Sequence, residues 1–493
     1  MGVIQRQGIK NILSSYAGIV LGVINLLFLQ PRLLSPEELG LTRILFSFAM
    51  LISMFASMGI GSTAVKFLPI AKDPKTRHHG FFGLLLLFPV LGILMAMLLL
   101  YACKSFFSAQ YSLKSGLFVE FYDYVLPMVA SFSILNAIQG YCYAMIKTTV
   151  PAVLNEVFTR ILLMLLVSLY YLKLFSLPVF ISCFAGIYFL QAILLLFYIF
   201  YEEKPGFKID WSFFKAGTLQ KMVSFTLIIW IGEIAAVGIK EFGTILIGKF
   251  YQLQFVAFYV IASFIPSIIE APIRSMDKII APNIVNLWDA KKHDEILSVF
   301  QKGSLYMLLL GGVFFININI NLNGIFAFLP AGYDEGKWVV LIISIGTLIN
   351  MASGPNSTIL NFSDKYFLGY IWVIIVSILL FVMQLLLLPV LGMIGAAIAT
   401  CISSVLYNGG LSFFIWKNYR LQPYGKKNIL VLFLISCLTL LGSFLPNLSN
   451  PLLDIGYRSS LVTGAFLALV YYLKIIPEFH SYIPFLKRPN SSN

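Results

Sequence analysis

Glu156 and Arg160 stand four residues apart in a stretch that is otherwise almost wholly apolar, and two other such stretches carry the same kind of anomaly. One holds Glu233 and Lys240. The other, "SFIPSIIEAPIRSMDKIIAP" at 263–282, holds Glu270, Arg274, Asp277 and Lys278 among three prolines. Residues four apart share a helix face. A charge at the centre of a bilayer costs about 2.5–3.5 kcal/mol on insertion scales, so such faces turn toward protein or a water-filled cavity. Two chemistries fit the pattern. In one, each acid neutralises its base between helices. In the other, Arg160, Lys240, Arg274 and Lys278 line a cationic cavity for an anionic head, and Glu233 or Glu270 couples to protons or sodium. Arginine suits a diphosphate because its planar fork donates two parallel hydrogen bonds to phosphate oxygens.

These residues need helices to carry them, and composition says of which kind. The chain of 493 residues is 59% hydrophobic and 11% charged, against about 25% charged in a soluble domain. Apolar runs of about 20 residues recur from end to end, each able to cross about 30 Å of hydrocarbon. They are continuous and lack period-two alternation, which excludes a membrane β-barrel. The fold class is therefore an all-α polytopic membrane protein with about fourteen spans, near 11–30, 42–66, 81–102, 124–146, 151–172, 178–200, 222–248, 255–280, 303–322, 338–360, 366–388, 391–416, 428–446 and 458–476. The N-terminal segment has no clear cleavage site and reads as span 1 rather than a removed signal. About 21 Lys and Arg fall on the side of the N-terminus and about 7 on the other, which predicts both termini cytoplasmic. The net charge of +13 is mostly this topology signal, so nucleic acid is not expected as a partner. The five cysteines lie in or beside spans without a CxxC pair and read as apolar packing.

The chain repeats itself at an offset of about 213 residues. "KFLPIAKDPKTRHH" after span 2 resembles "KIIAPNIVNLWDAKKHDE" after span 8, and "LNAIQG" at 135–140 matches "INMASG" at 349–354. This predicts a six-helix lobe at 1–205, a second at 206–420 and two added helices with a cytoplasmic tail at 421–493. Six is even, so the lobes would be related by a pseudo-two-fold axis along the membrane normal, an arrangement of transporters that rock two lobes about a cavity. Pro272 would kink span 8 and free a carbonyl near Glu270, which lies roughly 22 Å into the membrane.

No enzyme constellation is present. All four histidines fall in predicted cytoplasmic segments, and "GYDEGKW" at 332–338 has the wrong spacing for a phosphate loop. No cofactor, metal site or catalytic residue is expected. The asparagines of "FINININLNG" at 315–324 read as a helix end unwinding at the outer interface, with a polar cavity wall as the alternative. Ser14, Gly18 and Gly22 space span 1 for close packing.

The stretch "FLQPRLLSPEELGLTRILFSFAMLISMFASMGIGSTAVKFLP" (28–69), with its Leu-Ser-Pro-Glu-Glu-Leu-Gly turn and Gly59-Ile60-Gly61, resembles the first two spans of bacterial polysaccharide-biosynthesis flippases. That superfamily also contains multidrug exporters and the lipid II flippase. "FGTILIGKFYQLQFVAFYVIAS" (242–263) and "LLPVLGMIGAAIAT" (387–400) resemble its span 7–8 and 11–12 hairpins. The resemblance implies a bacterial inner-membrane flippase that moves a polyprenyl-diphosphate-linked oligosaccharide, a repeat unit of O-antigen, capsule or exopolysaccharide, from the cytoplasmic to the periplasmic leaflet. Alternating access coupled to an ion gradient (H+ or Na+) is implied with it. Partners on this reading are that lipid-linked glycan, the bilayer and the polysaccharide polymerase machinery. The lipid II branch places cavity arginines in spans 1, 2 and 8; Arg32, Arg43 and Arg274 fall in those spans, but the first two sit near outer ends without a matching motif, so those roles are not carried over. Alternatives are a cation-coupled multidrug exporter of the same fold and a membrane-embedded glycosyltransferase or polymerase.

Overall fold

The computed structural model describes residues 3–73, 75–214 and 216–476, although the side chains of some residues in this range, Arg274, Asp277 and Lys278 among them, lie outside the described residues. Among the described residues every regular element is a helix. Twelve helices among the described residues are long and apolar enough to cross a membrane, and one of them, Tyr366–Tyr419, holds spans 11 and 12 joined at Gly392. There φ of 60° makes the turn that only glycine adopts readily. Span 8 falls short of that length because it is broken into Leu253–Ser267 and Ala271–Asp289. With these two adjustments the chain is a multi-pass membrane protein with the fourteen spans read from its sequence.

The chain folds into two compact units. The first comprises 1–263, 329–339 and 365–407; the second comprises 264–328, 340–364 and 408–493. In the first unit span 4, Val125–Ala144, packs against spans 2, 3 and 6. Its serines and glycine permit this closeness: Ser133 Oγ donates to the Ser53 carbonyl at 3.2 Å. Span 3, Phe81–Ala102, is more apolar than span 4 and yet less buried. A soluble protein would show the reverse; in lipid the most apolar helix gains nothing by hiding, and association rests on packing and hydrogen bonds.

The Leu-Ser-Pro-Glu-Glu turn before span 2 is a capping box. Glu38 N–H donates to Ser35 Oγ at 3.3 Å, Ser35 N–H donates to Glu38 Oε2 at 2.8 Å, and Pro36 takes the first helical position. Glu38 Oε1 also accepts from Tyr170 Oη at 2.5 Å, which ties the end of span 5 to the start of span 2.

In the second unit span 9, His293–Ile320, packs against spans 13 and 14. The helix does end in the asparagine run, at Ile320, but the asparagines act in a way neither sequence reading named. Asn317 and Asn321 lie on one face and donate to Thr463 Oγ1 at 2.8 Å and Ser459 Oγ at 2.9 Å on span 14. They join two membrane helices by hydrogen bonds.

Candidate functional site

The first unit gathers its intramembrane charges on spans 1, 2, 5 and 7. Span 5 enters through Thr149–Val153, widens into a π-helical turn at Leu154–Phe158 and continues as Thr159–Tyr171. Such turns are uncommon and frequent at functional sites. Glu156 lies in this turn and Arg160 just beyond it. Arg160 Nη2 donates to Glu156 Oε2 at 3.0 Å and Nη1 donates to the Gly18 carbonyl. A Cβ on Gly18 would lie 2.6 Å from Glu156 Oε2, so this glycine lets spans 1 and 5 close around the pair. Of the Ser14-Gly18-Gly22 set, Gly18 therefore serves packing inside the chain.

Arg43, on span 2, was read from sequence as an ordinary residue near a span end. The structure puts it at the centre of the charged group. Its Nη2 donates to Gln30 Oε1, its buried Nε has no hydrogen-bond partner among the described residues, and Glu241 and Arg160 lie in electrostatic range. Glu241 accepts from Ser47 Oγ at 2.6 Å. The sequence signal for this group was present: Arg43 lies seven residues, about 10 Å, past the helix start at Pro36, and Glu241 follows Lys240 directly. What joins them is long-range packing, which spacing along one helix does not encode.

Glu233 lies two turns before Glu241 on span 7. Its Oε1 accepts from Ser62 Oγ at 2.5 Å, while Oε2 is buried without a hydrogen-bond partner among the described residues. Lys240 shares the helix but makes no ion pair with Glu233 among the described residues; it is exposed and lies in electrostatic range of Glu241. A second, neutral network adjoins Glu156: Gln139 Nε2 donates to Asn155 Oδ1 at 3.0 Å, and Gln191 Nε2 donates to the same oxygen.

Glu270 belongs to the second unit. It ends the break in span 8, where residues 268–270 leave the helix between Pro266 and Pro272. Its Oε1 accepts from Asn350 Nδ2 at 3.0 Å. Arg274 and Lys278 follow on helix Ala271–Asp289, with side chains outside the described residues. Of the predicted site residues, Arg160 is thus brought into one group with Arg43, Glu156 and Glu241; the sequence foresaw Glu156 beside it but not Arg43 or Glu241.

Chemically, the first-unit group offers guanidinium donors toward an anion and one carboxylate oxygen, on Glu233, free to take a proton or a cation. Residues 5–276 match the family described as polysaccharide biosynthesis protein. No curated protein matches the sequence. Among solved structures, the chain is similar to the lipid II flippase MurJ in an inward closed conformation (TM-score 0.68, 16% identity, 95% of this chain and 99% of that one). It is also similar to a Vibrio cholerae MATE transporter (0.58, 13%, 85% and 95%). A third is a MOP superfamily transporter from Pyrococcus furiosus (0.56, 14%, 85% and 95%). At these identities the likeness is one of fold.

Proposed function

We propose, starting from the fact that the chain belongs to the polysaccharide biosynthesis protein family, that it is a flippase for a polyprenyl-diphosphate-linked oligosaccharide. It moves this lipid from the cytoplasmic to the periplasmic leaflet of a bacterial inner membrane by alternating access, with both termini cytoplasmic. The observation that carries the reading is the pair of arginines, Arg43 and Arg160, held in electrostatic range of each other inside apolar spans. Two like charges in such a setting are costly unless anions face them. Glu156 and Glu241 supply that balance in the protein. A diphosphate entering the group would take over part of it, with the guanidinium forks donating to its oxygens. Lys240, Arg274 and Lys278 are assigned to the same head-group role on their place in the sequence.

Glu233 is assigned to ion coupling, with Glu270 as its counterpart in the second unit. The unpartnered Oε2 of Glu233 supports this assignment. The same oxygen favours a second reading, export of a cationic drug by the same fold.

One experiment separates the two. In a deletion strain, extracted lipids are assayed for a diphosphate-linked oligosaccharide while surface glycan is measured, with complementation by wild type, Arg43→Ala, Arg160→Ala and Glu233→Gln. The flippase reading expects the lipid to accumulate, wild type to clear it, and the stably expressed arginine variants to fail. Normal lipid and glycan pools with raised sensitivity to cationic drugs would replace it with the exporter.

A further inference from the structure

A cleft of about 300 Å³ opens in the second unit where span 9 begins its apolar run, span 13 starts and span 14 has ended. Lys302, Lys426 and Lys427 stand on its walls beside Tyr306, and Leu305 and Ile475 give it an apolar side. No acid is among its described lining residues. Lys302 and Lys426 are exposed, Leu305 and Tyr306 half-buried and Ile475 buried, so the cleft has a wet cationic rim over an apolar floor. Lys427 Nζ donates to the Ile475 carbonyl at 2.8 Å, holding the end of span 14 against the start of span 13. Asn428 is buried below, donating to Ser304 Oγ at 2.7 Å and accepting from Gly425 N–H at 3.3 Å. These bonds fix the three spans around the opening. The cleft also faces the first turn of span 13, Lys426–Ser443, whose leading N–H groups have no intrahelical acceptor and carry the positive end of the helix dipole.

Three cations, a helix start and an apolar floor at the end of three spans match one ligand chemistry: a phosphate monoanion attached to acyl chains. We propose that this cleft binds the head group of an anionic glycerophospholipid, in the leaflet on the side where the charged loops gather. The phosphate sits among Lys302, Lys426 and the first turn of span 13, and the upper acyl chain lies on Leu305 and Ile475. Basic pockets between membrane helices at that level hold such head groups by charge, while the apolar wall discriminates against a soluble anion. The site is separate from the intramembrane arginines and does not depend on what the protein transports.

The test uses the purified full-length protein in phosphatidylcholine nanodiscs, with spin-labelled phosphatidylglycerol or phosphatidylcholine as probe and the motionally restricted fraction as readout. Wild type is expected to select phosphatidylglycerol, and Lys302→Gln with Lys426→Gln to lower that selectivity about fivefold per charge removed. Lys302→Arg with Lys426→Arg is expected to keep it, as is Lys114→Gln in the loop between spans 3 and 4 of the first unit. Should the glutamine variant not fold, Leu305→Trp fills the cleft with its lysines intact and is expected to lose selectivity. Undiminished selectivity in the glutamine or tryptophan variant, or an equal loss in Lys114→Gln, would overturn the proposal. Millimolar inorganic phosphate is compared with chloride at equal ionic strength. Specific displacement by phosphate would overturn the lipid assignment in favour of a soluble phosphate, and indifference to it supports the lipid.

Discussion

Glu156–Arg160 and Asp454–Arg458 are the same local device, an acid four residues before an arginine on a membrane helix, put to opposite ends. Arg458 and Asp454 are 5% and 9% exposed. Arg458 Nε donates to Asp454 Oδ1 at 3.1 Å, Nη1 to the Ile320 carbonyl at 3.2 Å, and Nη2 to the Leu445 carbonyl at 2.7 Å and to Asn447 Oδ1. Asp454 Oδ1 also accepts from Leu448 N–H at 2.9 Å. The pair is saturated and staples the end of span 9 to the 13–14 turn. Arg160 and Glu156 are 25% and 28% exposed, and the arginine lies in electrostatic range of a second arginine. The difference lies in how deeply the fold buries the pair and in whether a second cation stands beside it. A pair sealed inside the fold is a fastener, and a more exposed pair beside another cation is placed to exchange partners.

The two broken helices repeat that contrast. Span 2 breaks at Met58 and Gly59, with φ of 52° and 67°, and its released carbonyls are taken up. Trp230 Nε1 donates to Met54 O at 3.1 Å and Phe55 O at 3.0 Å. Span 8 breaks between two prolines without any left-handed residue, closes by short-range bonds such as Ile269 N–H to Pro266 O at 2.9 Å, and leaves an ionisable group at the break. The first break is fixed from outside by a neighbouring helix. The second is local, and Glu270 and Asn350 are what it presents.

Breaking the staple is expected to have the largest effect. Arg458→Leu strands Asp454 in a buried site and should cost about 3–5 kcal/mol, with much of the loss recovered when Asp454→Leu is added; thermal unfolding in detergent reads both. If the single variant were as stable as wild type, the contrast between the two pairs would fail. Next comes the capped break: Trp230→Phe keeps the aromatic packing but takes the indole donor from Met54 O and leaves Phe55 O with only the Met58 N–H bond at 3.4 Å, for a loss of about 1–3 kcal/mol in the same assay. Arg160→Gln, at the more exposed pair, should cost less stability than Arg458→Leu yet abolish glycan-lipid clearance in the complementation assay, a dissociation of stability from activity that the buried pair should not show.

The smallest effect lies outside the membrane, where the loop after span 2 meets the 205–215 segment. Asp210 Oδ2 lies 3.0 Å from His79 Nδ1, and the imidazole stacks on Phe213 with ring centroids 4.0 Å apart. Hydrogen bonds from Ser212, then from His79, hold the Asp210 carboxyl down at about 2, below its ordinary 3.8. A lowered carboxylate pKa gives a contact that is fully present above about 4 and lost as pH falls toward 2. Limited proteolysis by an acid-active protease should show the 205–215 segment protected at pH 4 and cut at pH 2, whereas Asp210→Asn should flatten that dependence.

How far the candidate site could be read ahead follows from these particulars. Glu156–Arg160 was legible because both partners lie on one helix, at a spacing set by helix geometry. Arg43 was not, since its neighbours Gln30, Glu241 and Arg160 come from three other spans. Asp454–Arg458 was missed although its spacing is identical, because span 14 was bounded at 458 and Asp454 fell outside it, whereas the helix begins at Pro451.

The sequence by itself determined that the chain crosses a membrane as helices, where the spans fall, and that span 8 would be bent at its prolines. Those are consequences of hydrocarbon thickness and backbone hydrogen bonding, which act on each segment separately. Only the tertiary structure decided which charges meet, which broken carbonyls find a donor and which ion pair is closed. In a membrane the apolar faces are nearly interchangeable, so the choice of neighbour rests on a few polar and close-packed contacts between distant segments, and those exist only once the helices are assembled.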